Sequence, residues 1–295
     1  MTAMTAATTA TTFTDMLRAA ERRNDSLLCV GLDPEPAKFP HAWAFDAGRI
    51  FDFCSAIVDA THDLAIAFKP QIAYFAANRA EDALERLIAH IHRVAPFVPV
   101  ILDAKRGDMG TTAEQYAREA FERYRADAVT LSPFQGLDSI EPYMRYEGKG
   151  LFLLCRTSNP GGSELQAQRL ASGDFLYEHI ARLAQGPWNA GGQIGLVVGA
   201  TYPDEIARVR AIAPTLPLLI PGVGAQGGDA AATVRSGWRG GAGGAGGMTR
   251  GMTTGPILVN ASRSVLYASR GADFAQAARA AALATRAELN RARAG

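Results

Sequence analysis

The sequence predicts a single-domain α/β fold, a (β/α)8 TIM barrel, and three observations carry that prediction. Eight apolar runs of strand length alternate with stretches of helix length, the pattern of repeated βα units around a parallel sheet. Polar and charged residues collect where those runs end, which is where such barrels place their active sites. The 295 residues are enough for two domains on length alone, yet barrels of about 250 residues form one. An open doubly wound sheet is the competing architecture, but no Gly-x-Gly-x-x-Gly follows the first strand.

The chain begins with a Thr- and Ala-rich stretch that has neither a basic n-region nor a strongly apolar h-region. It reads as a flexible tail over residues 1–14, ahead of a barrel over 15–295. The strands are expected at Leu27 to Asp33, Leu64 to Lys69, Val98 to Lys105, Ala128 to Ser132, Leu151 to Arg156, Ile194 to Gly199, Leu216 to Pro221 and Ile257 to Asn260. Between the second and third, Ala80 to Val94 carries Leu84, Leu87, Ile88 and Ile91 on one helical face. Thr111 or Thr112 is placed to cap the helix after Asp108. Between the last two strands, residues 239–255 form a glycine-rich insert that cannot bury a core and reads as a flexible loop.

Composition narrows the partners. A net charge of +1 without a basic run leaves no electrostatic footprint for nucleic acid. No run of roughly 18 apolar residues is present to span a membrane. Cys29, Cys54 and Cys155 sit in apolar surroundings at spacings that fit neither a zinc site nor a disulfide framework, so they read as reduced core residues of a cytoplasmic protein. The five histidines (His41, His62, His90, His92 and His179) are scattered, and no metal site is expected of them. Trp43, Trp188 and Trp238 read as packing residues.

Lysine is scarce, with four (Lys38, Lys69, Lys105, Lys149) against twenty-six arginines. Two of them, Lys69 and Lys105, end apolar strands. Lys105 stands in Leu102-Asp103-Ala104-Lys105-Arg106-Gly107-Asp108, bracketed by carboxylates that favour the ammonium over the free amine. On a regular strand Asp103 and Lys105 project from the same face. A buried ion pair that only ties the barrel together is the plainer reading; Asp33 and Lys69 argue against it, because four alternating charges at one mouth are costly unless function requires them. Asp108, beyond Gly107, either closes the other side of the ammonium or reaches a neighbouring subunit.

A second signal is the glycine-rich stretch Pro221-Gly-Val-Gly-Ala-Gln226-Gly-Gly228 leaving the seventh strand. Loops after strands seven and eight of such barrels frequently hold phosphate, and Arg263, just past strand eight, offers a bidentate cation to the same place. The glycines alone could equally form a simple turn. Arg156, ending strand five, is either a structural partner of a carboxylate or a ligand contact.

At these residues the chain resembles the orotidine 5'-phosphate decarboxylases, and within them the type 2 branch typified by many actinobacterial enzymes. The resemblance rests on Gly31-Leu-Asp33-Pro, Phe68-Lys69-Pro-Gln71, the segment Leu102 to Asp108 with Thr112, Pro221 to Gly228, and Ser262-Arg263-Ser264. It implies decarboxylation of orotidine 5'-phosphate to uridine 5'-phosphate, the last step of pyrimidine nucleotide synthesis, with no cofactor. By that resemblance Lys105 is the proton donor, Asp103 lies beside the departing carboxylate, and Lys69 completes the charge array. Asp33 and Lys69 touch the ribose; Asp108 and Thr112 reach the ligand of the partner in a homodimer. Ser158 recognises the pyrimidine, Gln226 and Arg263 hold the phosphate, and Ser262 is a further substrate-binding residue. Phosphate binding is expected to close the loops Thr157 to Gly162 and Pro221 to Gly228 over the charged site.

Two other enzymes fit parts of this pattern. A Mg2+-dependent sugar-phosphate decarboxylase or synthase of the same barrel type shares an Asp-x-Lys-x-x-Asp strand three but needs acidic oxygen ligands, and Lys69 stands where it would repel the ion. A Schiff-base aldolase needs a neutral lysine, which neighbouring carboxylates oppose. A non-catalytic phosphate-binding module explains Arg263 and leaves Lys69, Asp103 and Lys105 without a purpose.

Overall fold

The computed structural model describes residues 11–223, 228–239 and 254–294. Eight parallel strands run β1 Leu28–Leu32, β2 Ala67–Pro70, β3 Ile101–Arg106, β4 Ala128–Leu131, β5 Gly150–Arg156, β6 Ile194–Val198, β7 Leu218–Pro221 and β8 Ile257–Ala261. They pair in the order β2-β1-β8-β7-β6-β5-β4-β3. Bridges Phe68↔Val100 and Gln71↔Asp103 join the two ends of that order and close the barrel. Strand three starts later than its apolar run suggests because Pro99 has no N–H; it offers only its carbonyl, to the Phe68 N–H at 3.0 Å.

Strand periodicity stacks the interior in layers. Cys29, Ala67, Ile101, Ala128, Phe152, Val197, Leu219 and Leu258, one from each strand, form the buried middle of the barrel. Two residues further along the strands stand Gly31, Lys69, Asp103, Thr130, Leu154, Gly199, Pro221 and Asn260, the layer that meets the mouth. Below the apolar layer the barrel floor is plugged by helix Phe13–Asn24, whose Phe13 meets Phe152 edge to face at 5.7 Å. The tail therefore gives way to structure earlier than residue 14. Thr12 caps that helix in a reciprocal box with Asp15, and Phe13 is buried, since an apolar plug must enter the floor. Residues 1–10 lie outside the described residues.

The helix expected at Ala80 to Val94 is found at Glu81–Val94 with the four named residues buried. The cap expected at Thr111 or Thr112 is corrected: helix Gly110–Arg118 is preceded by Met109 as its N-cap, with no side-chain cap bond. Gly110 turns the chain with φ +58°, so the helix starts earlier, and both threonines fall in its exposed first turn.

On the floor side, Arg210 is 1% exposed, and its described partners are all backbone carbonyls. It donates to Gly237 and Leu216 at 2.8 Å, to Ala213 at 3.0 Å, and to Pro214 and Gly255 at 3.1 Å. Burial pulls its pKa down to about 9, and Arg239 adds to this, which still leaves a cation at neutral pH. One guanidinium thus ties together the floor ends of β7 and β8 and both flanks of the glycine-rich insert; residues 240–253 of that insert lie outside the described residues. Arg210→Met leaves several buried carbonyls unpaired and is expected to cost about 2–3 kcal/mol in urea unfolding. Its turnover per folded molecule should match wild type, because the mouth is at the other end.

Candidate active site

Asp103 is the centre of the mouth. It is 7% exposed, and its two oxygens are shared between two lysines: Oδ2 accepts from Lys69 Nζ at 2.9 Å and Oδ1 from Lys105 Nζ at 2.5 Å. Lys69 is 4% exposed and locked in the wall, whereas the Lys105 side chain is 46% exposed and reaches into the mouth. Burial alone would lower the Lys69 pKa, but attraction to Asp103 and then Asp33 prevails and holds it above the ordinary lysine range. For Asp103 the balance is the same with opposite sign. Burial raises its pKa, and the two ammonium groups overcome this and hold the carboxyl well below its ordinary range.

The regular alternation expected of Asp103 and Lys105 is broken. Lys105 has φ +48°, a left-handed conformation unusual for a side-chain-bearing residue, and the pairing of β3 with β4 shifts register between Leu102 and Arg106. The turn curls the ammonium back onto the carboxylate. Thr130 on β4 holds it there: its hydroxyl oxygen accepts from the N–H groups of Ala104 and Lys105, each at 3.0 Å, and donates to Asp103 Oδ1 at 2.9 Å. Sequence reasoning missed Thr130, because a threonine in a strand is ordinary; only its position in the inward layer distinguishes it.

The remaining expected residues surround this centre unequally. Asp33 follows β1, and its Oδ1 is buried without a hydrogen-bond partner. Asn260, 8% exposed, was also missed; its Nδ2 donates to Ser262 Oγ at 3.1 Å and its Oδ1 is likewise buried and unpartnered. Gly31 makes room for both, since a Cβ there would lie 1.9 Å from Ser262 Oγ. Two orphaned acceptors at one rim are a place for hydroxyl donors. Arg263 opens the short helical turn Arg263–Leu266 directly after β8. Ser158 sits after β5, its backbone so close to Gly199 that a Cβ there would be 2.7 Å away. Gln226 lies outside the described residues.

Asp108 and Thr112 are not brought to the ammonium of their own chain. The Asp108 carboxylate accepts from the Met109 N–H at 2.9 Å and forms no ion pair among the described residues; Thr112 is exposed on its helix. Arg156 is resolved as a structural partner. It is 1% exposed, bonds Glu205 at 2.6 Å, Ser163 at 2.9 Å and the Thr157 carbonyl at 3.1 Å, and so braces the loop that carries Ser158. His90 and His92 pair with Asp59 and Asp127 away from the mouth. All three cysteines are free and buried, and burial pushes the Cys29 thiol up to about 12. Trp43, Trp188 and Trp238 pack against the core. Among the described residues no cluster of three His, Cys, Asp or Glu could hold a metal ion, and no helix is long and apolar enough to cross a membrane.

Residues 26–278 match the profile of the Orotidine 5'-phosphate decarboxylase / HUMPS family. The chain is 72% identical over 284 residues to the orotidine 5'-phosphate decarboxylase of Methylibium petroleiphilum, covering 95% of this chain and 99% of that one. It is 73% identical over 286 residues to that of Polaromonas naphthalenivorans, covering 96% and 97%. The structure of Leishmania donovani OMP decarboxylase superposes with a TM-score of 0.79 at 41% identity, over 96% of this chain and all of that one. An alternating Lys-Asp-Lys array at the mouth of a (β/α)8 barrel, and likeness along nearly the whole length, lead to one conclusion: the chain belongs to the orotidine 5'-phosphate decarboxylase family.

Proposed function

We propose that this chain decarboxylates orotidine 5'-phosphate without a cofactor, with Lys105 as the proton donor. The observation that carries this is the sharing of Asp103 between a buried Lys69 and an exposed Lys105. Loss of CO2 breaks the bond between the ring carbon and the carboxylate carbon and leaves the electron pair on the ring carbon, in the plane of the ring. No π-system takes up that pair. The Lys105 ammonium stabilises it as it develops and then transfers a proton to it; water reprotonates the amine after turnover. Asp103 lies beside the departing carboxylate and fixes both lysines.

The rival chemistries meet the same residues less well. A divalent ion on Asp103 would have to displace Lys69 from its Oδ2 and stand beside a buried ammonium. A Schiff base on Lys69 needs the free amine that Asp103 and Asp33 oppose. Loss of substrate absorbance in EDTA is the decisive assay, and a wild-type enzyme inert under those conditions ends this reading.

The orphaned acceptors of Asp33 and Asn260 suit ribose hydroxyls, Arg263, Ser262 and Gln226 the phosphate, and Ser158 the pyrimidine. Binding of the phosphate would organise the loops after β5 and β7 over the charged centre. Asp108 has no ion pair with its own Lys105 and Thr112 is exposed, which favours a homodimer in which each completes the partner's site. Mixing Lys105→Ala with Asp108→Ala subunits should then restore about a quarter of wild-type activity, since half of a random mixture is hybrid and each hybrid has one intact site. A mixture as inactive as its components would show that each site is built from one chain. Three buried free thiols fit a reducing compartment, and we place the enzyme in the cytoplasm.

A further inference from the structure

We propose that Tyr267 is a positioning residue that couples the phosphate-binding arm after β8 to the placement of Asp33 after β1. The inference rests on the reading of Arg263 as a phosphate ligand and Asp33 as a ribose ligand. Tyr267 ends the short turn that Arg263 begins, and its N–H donates to the Arg263 carbonyl at 3.1 Å. Its phenol crosses to the other loop. The hydroxyl donates to the Asp33 carbonyl at 2.7 Å and accepts from the Glu35 N–H at 2.7 Å, while the ring lies parallel to Phe53 with centroids 6.0 Å apart.

Asp33 depends on that contact more than on its own side chain. Its Oδ1 is buried and unpartnered, so no hydrogen bond to that atom fixes the carboxylate, whereas its backbone is anchored through the carbonyl. Farther along, Arg270 donates to the Ala37 carbonyl at 2.9 Å and accepts at its own carbonyl from the His41 N–H at 3.0 Å. The segments 33–41 and 263–270 are therefore tied together by the hydrogen bonds of Tyr267 and Arg270. Asp33 also acts on Lys69, so any displacement of the arm reaches the charge array through one side chain. Seating of a phosphate on Arg263 would in this way set the carboxylate that orients the sugar, and remote binding energy would appear in turnover.

A double-mutant cycle tests the coupling in the intact enzyme. Tyr267→Phe keeps the ring and removes the hydroxyl with its two hydrogen bonds, and it should lower kcat about tenfold, within the range two such bonds set, with unchanged circular dichroism. In an Arg263→Ala background the same change should cost less than about twofold, because the arm no longer transmits phosphate binding. An equal factor in both backgrounds makes Tyr267 merely structural and overturns the proposal, as does an unchanged kcat for the single variant. Should Tyr267→Phe misfold, Tyr267→His, which retains a polar ring, goes through the same cycle with the same criteria. If Arg263→Ala alone leaves kcat/KM unaltered, the phosphate assignment itself falls, and the coupling with it.

Discussion

In EDTA, Lys105→Ala should consume orotidine 5'-phosphate on the order of 10⁴-fold more slowly than wild type, the sum of a lost proton donor and a lost preorganised charge. The loss should fall on kcat. Lys105 is the one member of the array whose side chain reaches out of the wall, so its removal deletes an interaction made with the reacting carbon and leaves most ground-state contacts in place. Stability should change little, or rise, because Asp103 keeps Lys69 as counter-ion at 2.9 Å and Thr130 as donor at 2.9 Å. Lys105→Arg keeps the charge, but a planar guanidinium cannot occupy the same tight turn beside Asp103 and is a poor acid, so it should rescue little. A Lys105→Ala enzyme within tenfold of wild type would move the proton donor elsewhere.

The reason this lysine could be found in the sequence, and its supporting residues could not, is physical. Lys69, Asp103 and Lys105 stood out because charge at the end of an apolar run is expensive unless paired, so its presence marks a site. The eight strands were equally legible, since each is a buried apolar run bounded by polar residues. Thr130 was not, because its role depends on a register shift between β3 and β4 that leaves two N–H groups facing one hydroxyl. Asn260 was hidden for a similar reason: its orphaned oxygen beside Ser262 exists only because Gly31, on the neighbouring strand, carries no side chain. Arg156 stayed ambiguous until Glu205, 49 residues away, supplied the carboxylate. Local composition shows where charge is unusual; which atoms it answers to is a property of closure.

Replacing Asp103 should be the costliest single change to the fold and should also abolish turnover. Asp103→Ala leaves Lys69 buried with no carboxylate bonded to it and removes the acceptor for Thr130, so we expect a loss of about 3–5 kcal/mol in chemical unfolding. Asp103→Asn preserves shape but supplies no negative charge, and most of the loss should remain. If the cause is the stranded ammonium, the double variant Asp103→Ala, Lys69→Met should regain much of the stability while staying inactive; a double variant no more stable than the single would refute that cause. The pH dependence follows from the same pair. Asp103 is held below its ordinary value of 3.8, so its contribution is fully present above that value and is lost as pH falls through the depressed one. Lys69 is held above its ordinary 10.5, so its contribution is present below that value and is lost only at still higher pH. The stability difference between wild type and Asp103→Ala should therefore shrink below about pH 4, where Asp103 loses its charge, and shrink again on the alkaline side, where the stranded Lys69 of the variant, its burial no longer offset by Asp103, can shed its proton. A difference that stays constant as the solution is acidified to about pH 2 would show that the Asp103 charge is not its source. His90 with Asp59 and His92 with Asp127 lie outside the mouth and are the same in both proteins, so they drop out of the difference and leave the charge of the site as its source.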